Sequence, residues 1–180
     1  VAGALGSLND LWRYNIVSNE WTWMKGPNTI NNVGSYGIQG VSGPVNFPSL
    51  RMEESCTWTD NAGKLWLYGG QGGCNSLWKY DILTNEWTWI HGSNTAALPA
   101  VYGIQGTAAS ANTPGTRYAY CSWTDLAGNL WLFAGEHTND LWKYNITANQ
   151  WTWMKGPSTI DDPGNYGTKC IPADSNLPPS

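Results

Sequence analysis

The 180 residues predict an all-β chain built from small antiparallel sheets repeated along the sequence. Two recurring units and a two-residue hydrophobic alternation inside them carry that expectation. Leu11–Gly26 reads LWRYNIVSNEWTWMKG, Leu77–Gly92 reads LWKYDILTNEWTWIHG, and Leu141–Gly156 reads LWKYNITANQWTWMKG. The spacings are 66 and 64 residues, and the outer copies agree at 12 of 16 positions. A second unit occurs twice, as CTWTDNAGKLWLYGG in Cys56–Gly70 and CSWTDLAGNLWLFAG in Cys121–Gly135. Together these units hold all 13 Trp, so the tryptophans belong to the architecture.

Within each unit, Trp-Thr-Trp and Leu-Trp-Leu place successive side chains on opposite faces of a strand. The runs are short and end at turn residues such as Asp-Asn-Ala-Gly, Gly-Gly-Gln-Gly-Gly and Ser-Asn-Glu. In the middle copy this predicts strands a to d at Ser55–Thr59, Lys64–Tyr68, Ser76–Tyr80 and Glu86–Ile90. Short connections make neighbours antiparallel. A four-stranded sheet repeated at fixed period predicts propeller blades, since each sheet buries its faces only against its neighbours. The expected organisation is one segment of about two and a half to three blades. Residues 1–50 form a partial blade (strands c and d) plus a long loop, 51–116 a full blade plus a long loop, and 117–180 a full blade plus a C-terminal loop.

Composition narrows the function. Hydrophobic residues make up 41% and charged residues only 12% of the chain, against about 25% charged in an ordinary soluble domain. Net charge is −4, with no Lys/Arg cluster, which argues against nucleic-acid binding. No apolar run reaches the length of a spanning helix, so no membrane span is expected. With no initiator Met and no signal peptide, the chain reads as an excised or processed piece.

The repeats resemble the kelch family, in the long form found in secreted bacterial proteins. Gly69-Gly70 fits that family's glycine doublet, and Ala134-Gly135 fits with one Gly replaced. Tyr14/Trp21, Tyr80/Trp87 and Tyr144/Trp151 fit its aromatic pair, and Arg51 and Arg117 fit the Arg that opens its first strand. The extra length sits in the d-to-a connections, Pro27–Leu50 and Ser93–Thr116. The resemblance implies a kelch-type β-propeller. Two a–b and three c–d hairpins cannot close a ring, so either further blades or further copies of the chain are expected to complete it.

Catalytic signatures are scarce. His91 and His137 are the only imidazoles and lack metal-binding spacing, so no metal and no cofactor are expected. Some kelch-fold proteins are copper oxidases, galactose oxidase among them, but that copper-ligating set does not map onto these residues. Glu53-Glu54 point to opposite faces of a strand, and Asp161-Asp162 lie in a Pro-Gly loop. Asp60 and Asp125 occupy equivalent hairpin turns, where an Asx side chain bonds its own backbone. Ser122-Trp123-Thr124-Asp125 with Gly128 and Trp131 resembles the Asp-box turn of sialidase-type propellers, with the Asp-to-Gly spacing one residue too long.

The expected function is therefore an extracellular, non-catalytic binding or structural module that self-associates or belongs to a larger propeller. Carbohydrate or a surface protein is the second expected partner. The competing class is a carbohydrate-active propeller enzyme, galactose-oxidase-like or glycosidase, with its catalytic residues outside this segment. Tyr36, Tyr102 and Tyr166, each in a long d-to-a loop, are candidate stacking residues for a ligand or partner; the alternative is an extra strand or buckle between blades. Arg51 and Arg117 are candidates for the same role, or for bonding carbonyls between blades. Cys56, Cys74, Cys121 and Cys170 are disulfide candidates in an oxidising compartment, with Cys170 also placed to bond a blade beyond Ser180. Asn145-Ile146-Thr147 is a glycosylation sequon at a c-to-d turn, consistent with a secreted or cell-surface protein.

Overall fold

The computed structural model describes residues 6–51, 55–70, 72, 74–95, 97–135 and 137–180. The chain is all-β, with antiparallel sheets and no helix among these residues. β1 (Leu11–Asn15) and β2 (Glu20–Lys25) form a two-stranded sheet. β4 (Cys56–Thr59), β5 (Leu65–Tyr68), β6 (Leu77–Asp81) and β7 (Glu86–His91) form the second, in spatial order, with β3 (Ser42–Gly43) added beyond β7. β8 (Cys121–Thr124), β9 (Leu130–Gly135), β10 (Thr138–Asn145) and β11 (Gln150–Lys155) form the third. Each sheet is open as described, and the four strands expected in the middle copy lie where the alternation put them, shifted by one residue at most ends.

Local chemistry explains the hairpins. In the β6–β7 turn, Asn85 takes a left-handed conformation (φ 55°), and its carboxamide oxygen accepts a 2.8 Å hydrogen bond from the Tyr80 hydroxyl. Tyr14 with Asn19 and Tyr144 with Asn149 repeat the arrangement. The first residue of the turn adds an Asx bond, Asp81 Oδ1 accepting from Leu83 N at 2.9 Å. In the a–b turns, Asp60 accepts from Ala62 N and Lys64 N at 2.9 Å, and its other oxygen accepts from Trp66 Nε1 at 2.8 Å. Asp125 binds Asn129 and Trp131 in the same way, and these bonds, Trp131's first, hold its carboxyl down at about 2. Both carboxylates therefore serve their turns.

The second and third sheets stack through one core. Trp58, Trp66 and Tyr68 from the second sheet meet Leu132, Tyr144 and Trp151 from the third. Trp66 lies 5.9 Å from Tyr144 and Tyr68 5.4 Å from Trp151, both tilted ring contacts. Polar bonds cross the same junction: Trp58 Nε1 donates to Trp131 O at 2.9 Å, and Tyr120 donates its hydroxyl to Tyr68 O at 2.9 Å. That Tyr120 hydroxyl explains Gly69, whose φ is +63° and where a Cβ would fall 2.0 Å from it. Ala134 fills the equivalent place in the third sheet at φ 65°.

Among the described residues, the first hairpin has no such cover. Trp21, Trp87 and Trp151 hold the same register position opposite Tyr14, Tyr80 and Tyr144, yet they are 66%, 7% and 0% exposed. One residue buried at two positions and exposed at the third gives an internally controlled experiment. Trp87→Ala and Trp151→Ala are each expected to cost about 3–5 kcal/mol, whereas Trp21→Ala should cost less than about 1 kcal/mol. Urea unfolding of the three variants measures this, and equal losses at all three positions would contradict it.

Candidate interaction surface

The long loops do not stay with the sheet they leave. Loop 27–50 crosses to the second sheet, where Ser42 and Gly43 pair with Thr88 and Trp87. Loop 93–116 crosses to the third sheet, where Ala109 pairs with Trp151. Each loop closes on itself first, through the bridges Ser35–Phe47 and Val101–Thr113. It then grips the next outer strand by backbone: Gly40 N donates to Trp89 O at 2.7 Å and Gly106 N to Trp153 O at 2.8 Å. An Asn completes the grip. Asn112 Nδ2 donates both to Thr107 O at 3.0 Å and to Trp151 O at 3.1 Å, and Asn46 bonds Val41 O and Trp87 O in the same way.

The loop tyrosines sit at the centre of this contact. Tyr36 lies 4.9 Å from Trp78 and 5.2 Å from Trp89, edge-on to the latter. Tyr102 lies 5.3 Å from Trp142 and 5.0 Å from Trp153. Their hydroxyls reach equivalent sequence positions, Ser76 directly before β6 and Asp140 within β10. Tyr36 meets Ser76 Oγ at 3.3 Å, and Tyr102 donates to Asp140 Oδ2 at 2.8 Å. Burial, then the Asp140 charge, pushes the Tyr102 hydroxyl up to about 12. Both tyrosines thus make packing contacts between repeats. Tyr166, in loop 157–180, is instead 77% exposed.

The arginines are equally committed. Arg117 donates to Ala134 O and Pro114 O, both 2.9 Å away, and forms a bidentate pair with Asp140 at 2.5 and 3.0 Å. Burial would push the Asp140 carboxyl up, but hydrogen bonds and charge from Arg117, with donors from Trp142 and Tyr102, bring it below the usual carboxylate value. Arg51 donates to Gly69 O at 2.7 Å and Ser76 Oγ at 2.6 Å, and its buried Nε has no partner among the described residues. Ser76 stands where Asp140 stands in the third sheet, so among the described residues Arg51 has no carboxylate to match Asp140, and burial pulls its guanidinium below its ordinary value. Four of the five side chains expected to meet a ligand or partner thus have intramolecular partners, and Tyr166 is the one left largely exposed.

The remaining candidates fall at separate places. Cys56 and Cys74 are buried, Cys121 and Cys170 exposed, and all four are free thiols. Burial pushes the Cys56 thiol up, away from its reactive form. Asn145 ends β10 half-buried; its Nδ2 donates to Asn129 Oδ1 at 3.2 Å and its Oδ1 accepts from Ala148 N at 2.7 Å. His91 has its Nε2 3.2 Å from Ser110 O, and burial lowers its pKa, favouring the neutral ring. His137 pairs with Asp161 at 2.7 Å on the surface. Glu53 and Glu54 lie outside the described residues. Among the described residues, no group of three or more His, Cys, Asp or Glu is placed to hold a metal ion, and no helix is long and apolar enough to cross a membrane.

Sequence reasoning missed a cleft of about 550 Å³ between the first hairpin and the second sheet, floored by Trp58, Leu65, Trp66 and Leu67 and walled by Leu11 and Trp87. The aromatic ladder of the first hairpin, Trp12, Tyr14, Trp21 and Trp23, is exposed. No periodic signal marks the cleft, because its lining residues come from strands and loops far apart in the sequence.

No family model matches the chain. Among curated proteins, the chain is similar to Multiple epidermal growth factor-like domains protein 8 of Homo sapiens, with 31% identity over 107 residues. The match takes in 57% of this chain, and the chain spans about 4% of that protein's length.

Two expectations follow from the Tyr and Arg contacts. At concentrations where the chain is monomeric, Tyr102→Ala should lower the melting temperature clearly while Tyr166→Ala leaves it nearly unchanged; the reverse order would contradict the packing role. Asp140→Asn leaves a buried guanidinium unpaired and should cost about 3–5 kcal/mol at neutral pH. Because the folded carboxyl titrates below its ordinary 3.8, its contribution is complete above that pH and fades as pH falls through the folded value. The deficit of Asp140→Asn should therefore shrink below about pH 4, and a pH-independent deficit would contradict the ion pair.

Proposed function

We propose that the chain is a segment of a kelch-type β-propeller that works outside the cell as a non-catalytic binding and assembly module. The observation that carries this reading is the contrast between hairpins of nearly identical sequence. Trp78, Tyr80 and Trp87 and their counterparts Trp142, Tyr144 and Trp151 are buried by neighbouring repeats, whereas Trp12, Tyr14, Trp21 and Trp23 are exposed. An exposed aromatic face of this extent is the signature of a surface made to be covered. The blade reading draws support from two stacked four-stranded units, each fed by the loop of the preceding repeat. The structural roles of Asp60, Asp125, Arg51 and Arg117 favour a scaffold over catalysis, since these carboxylates and cations are engaged in holding turns and strands.

The extracellular placement rests on the turn-rich, lysine-poor surface and on the similarity to a protein named for growth-factor-like domains, modules typical of oxidising compartments. Self-association is the favoured partner class, carbohydrate or a surface protein the next. Light scattering on the purified chain is the test. A mass above 19.8 kDa that rises with concentration is expected. A constant monomer mass up to high concentration would contradict assembly, and glycan-array binding would then decide for a carbohydrate ligand.

A further inference from the structure

Three loops of this chain share one local fold, and only two have a seat. Loop 157–180 closes through the Asn165–Leu177 bridge, as its counterparts do through Ser35–Phe47 and Val101–Thr113. Ile171 N donates to Thr168 O at 3.0 Å, matching Val41 to Ile38 and Thr107 to Ile104. Asn176 Nδ2 donates to Ile171 O at 2.9 Å, which is half of what Asn46 and Asn112 do. The other half, a tryptophan carbonyl of a receiving strand, is missing, and Asn176 Oδ1 is buried without a partner. The loop is folded for docking and lacks a docking surface within the described residues.

Three hairpins share one local fold as well, and only two are occupied. Trp78 and Trp89 hold Tyr36, and Trp142 and Trp153 hold Tyr102. Trp12 and Trp23 stand at the same register positions of β1 and β2, with both rings about half exposed. The polar anchor is present too. Trp12 Nε1 donates to Asp10 Oδ2 at 2.6 Å, as Trp142 Nε1 does to the Asp140 carboxylate that receives Tyr102.

We propose that loop 157–180 of one copy seats on the β1–β2 hairpin of a second copy, with Tyr166 lodged between Trp12 and Trp23 and its hydroxyl on Asp10. The backbone bonds follow from the two occupied seats: Cys170 N to Trp23 O, Asn176 Nδ2 to Trp21 O, and Ala173 paired with Trp21. The substitution at the gripping amide itself does not block the fit. Cys170 replaces Gly40 and Gly106 in the grip, but it already has φ 67°, and a Cβ at either glycine meets nothing within 4 Å. The contact is head-to-tail, joining different surfaces of the two copies, so it propagates into a ring or an open fibre. The inference rests on the assembly reading above and names the two faces that meet.

Mixing variants tests it on the full 180-residue chain. Tyr166→Ala removes the plug and keeps the socket; Trp23→Ala damages the socket and keeps the plug. Each variant alone should associate at least tenfold more weakly than wild type. An equimolar mixture should form 1:1 dimers and stop there, because the dimer carries one dead plug and one dead socket. Thermal unfolding checks that each variant is folded, and Asp10→Ala replaces Trp23→Ala if the latter is not. Variants that associate as wild type does, or a folded mixture that stays monomeric, would overturn this seat while leaving assembly through another surface standing. A wild-type chain that is monomeric throughout would overturn both readings.

Discussion

The contact on which the other features depend is a tyrosine held between two tryptophans of the next repeat. Tyr36 and Tyr102 each leave the sheet that precedes them and fill the gap between ring pairs on the sheet that follows. A single four-stranded sheet of this size has little core of its own, and its aromatic face must be covered from outside. The loop does the covering, and its backbone bonds to Trp89 O and Trp153 O keep it from sliding. The length of the 27–50 and 93–116 connections is then explained: they must close on themselves, cross to a neighbour and return. Each aromatic pair of this kind is worth about 0.5–1.5 kcal/mol beyond its buried area. The same contact repeated along an array therefore fixes the order of repeats as well as stabilising them.

Small differences between repeats show how much each position is set by its neighbour. Asp140 both receives the Tyr102 hydroxyl and neutralises Arg117, whereas Ser76 meets Tyr36 and Arg51 with a neutral hydroxyl. The third sheet thus carries the stronger polar network. Gly69 is needed where Tyr120 of the next repeat presses against it, while an alanine stands at the corresponding position 134. Such departures from strict repetition are readable only when the contact across the repeat boundary is known.

That distinction also decides what was legible in the sequence. The strands were, because Trp-Thr-Trp and Leu-Trp-Leu alternate and Asp60, Asp125 and the turn asparagines mark the reversals by their own hydrogen bonds. The loop seat was not. β3 is two residues long, too short for any periodicity, and what holds it is a set of backbone bonds and one asparagine carboxamide with no pattern of its own. Tyr36 and Tyr102 could be placed in a loop but not on a neighbour, so ligand contact and packing contact looked alike. For Arg51 and Arg117, repetition indicated a shared role without telling which carbonyls or carboxylates would receive the guanidinium. The exposed ladder of the first hairpin followed from counting hairpins, and only burial revealed which face it leaves open.

If repeats are held in order by a loop seated on the next hairpin, then an unseated hairpin and an unseated loop should change together when copies meet. Hydrogen exchange at low and high protein concentration reads this most directly. The result expected is a concentration-dependent slowing confined to β1–β2 and loop 157–180, with the Cys170 amide among those most protected, and no change in the seated loops 27–50 and 93–116. Equal exchange at both concentrations, or protection spread over the second and third sheets instead, would contradict the account.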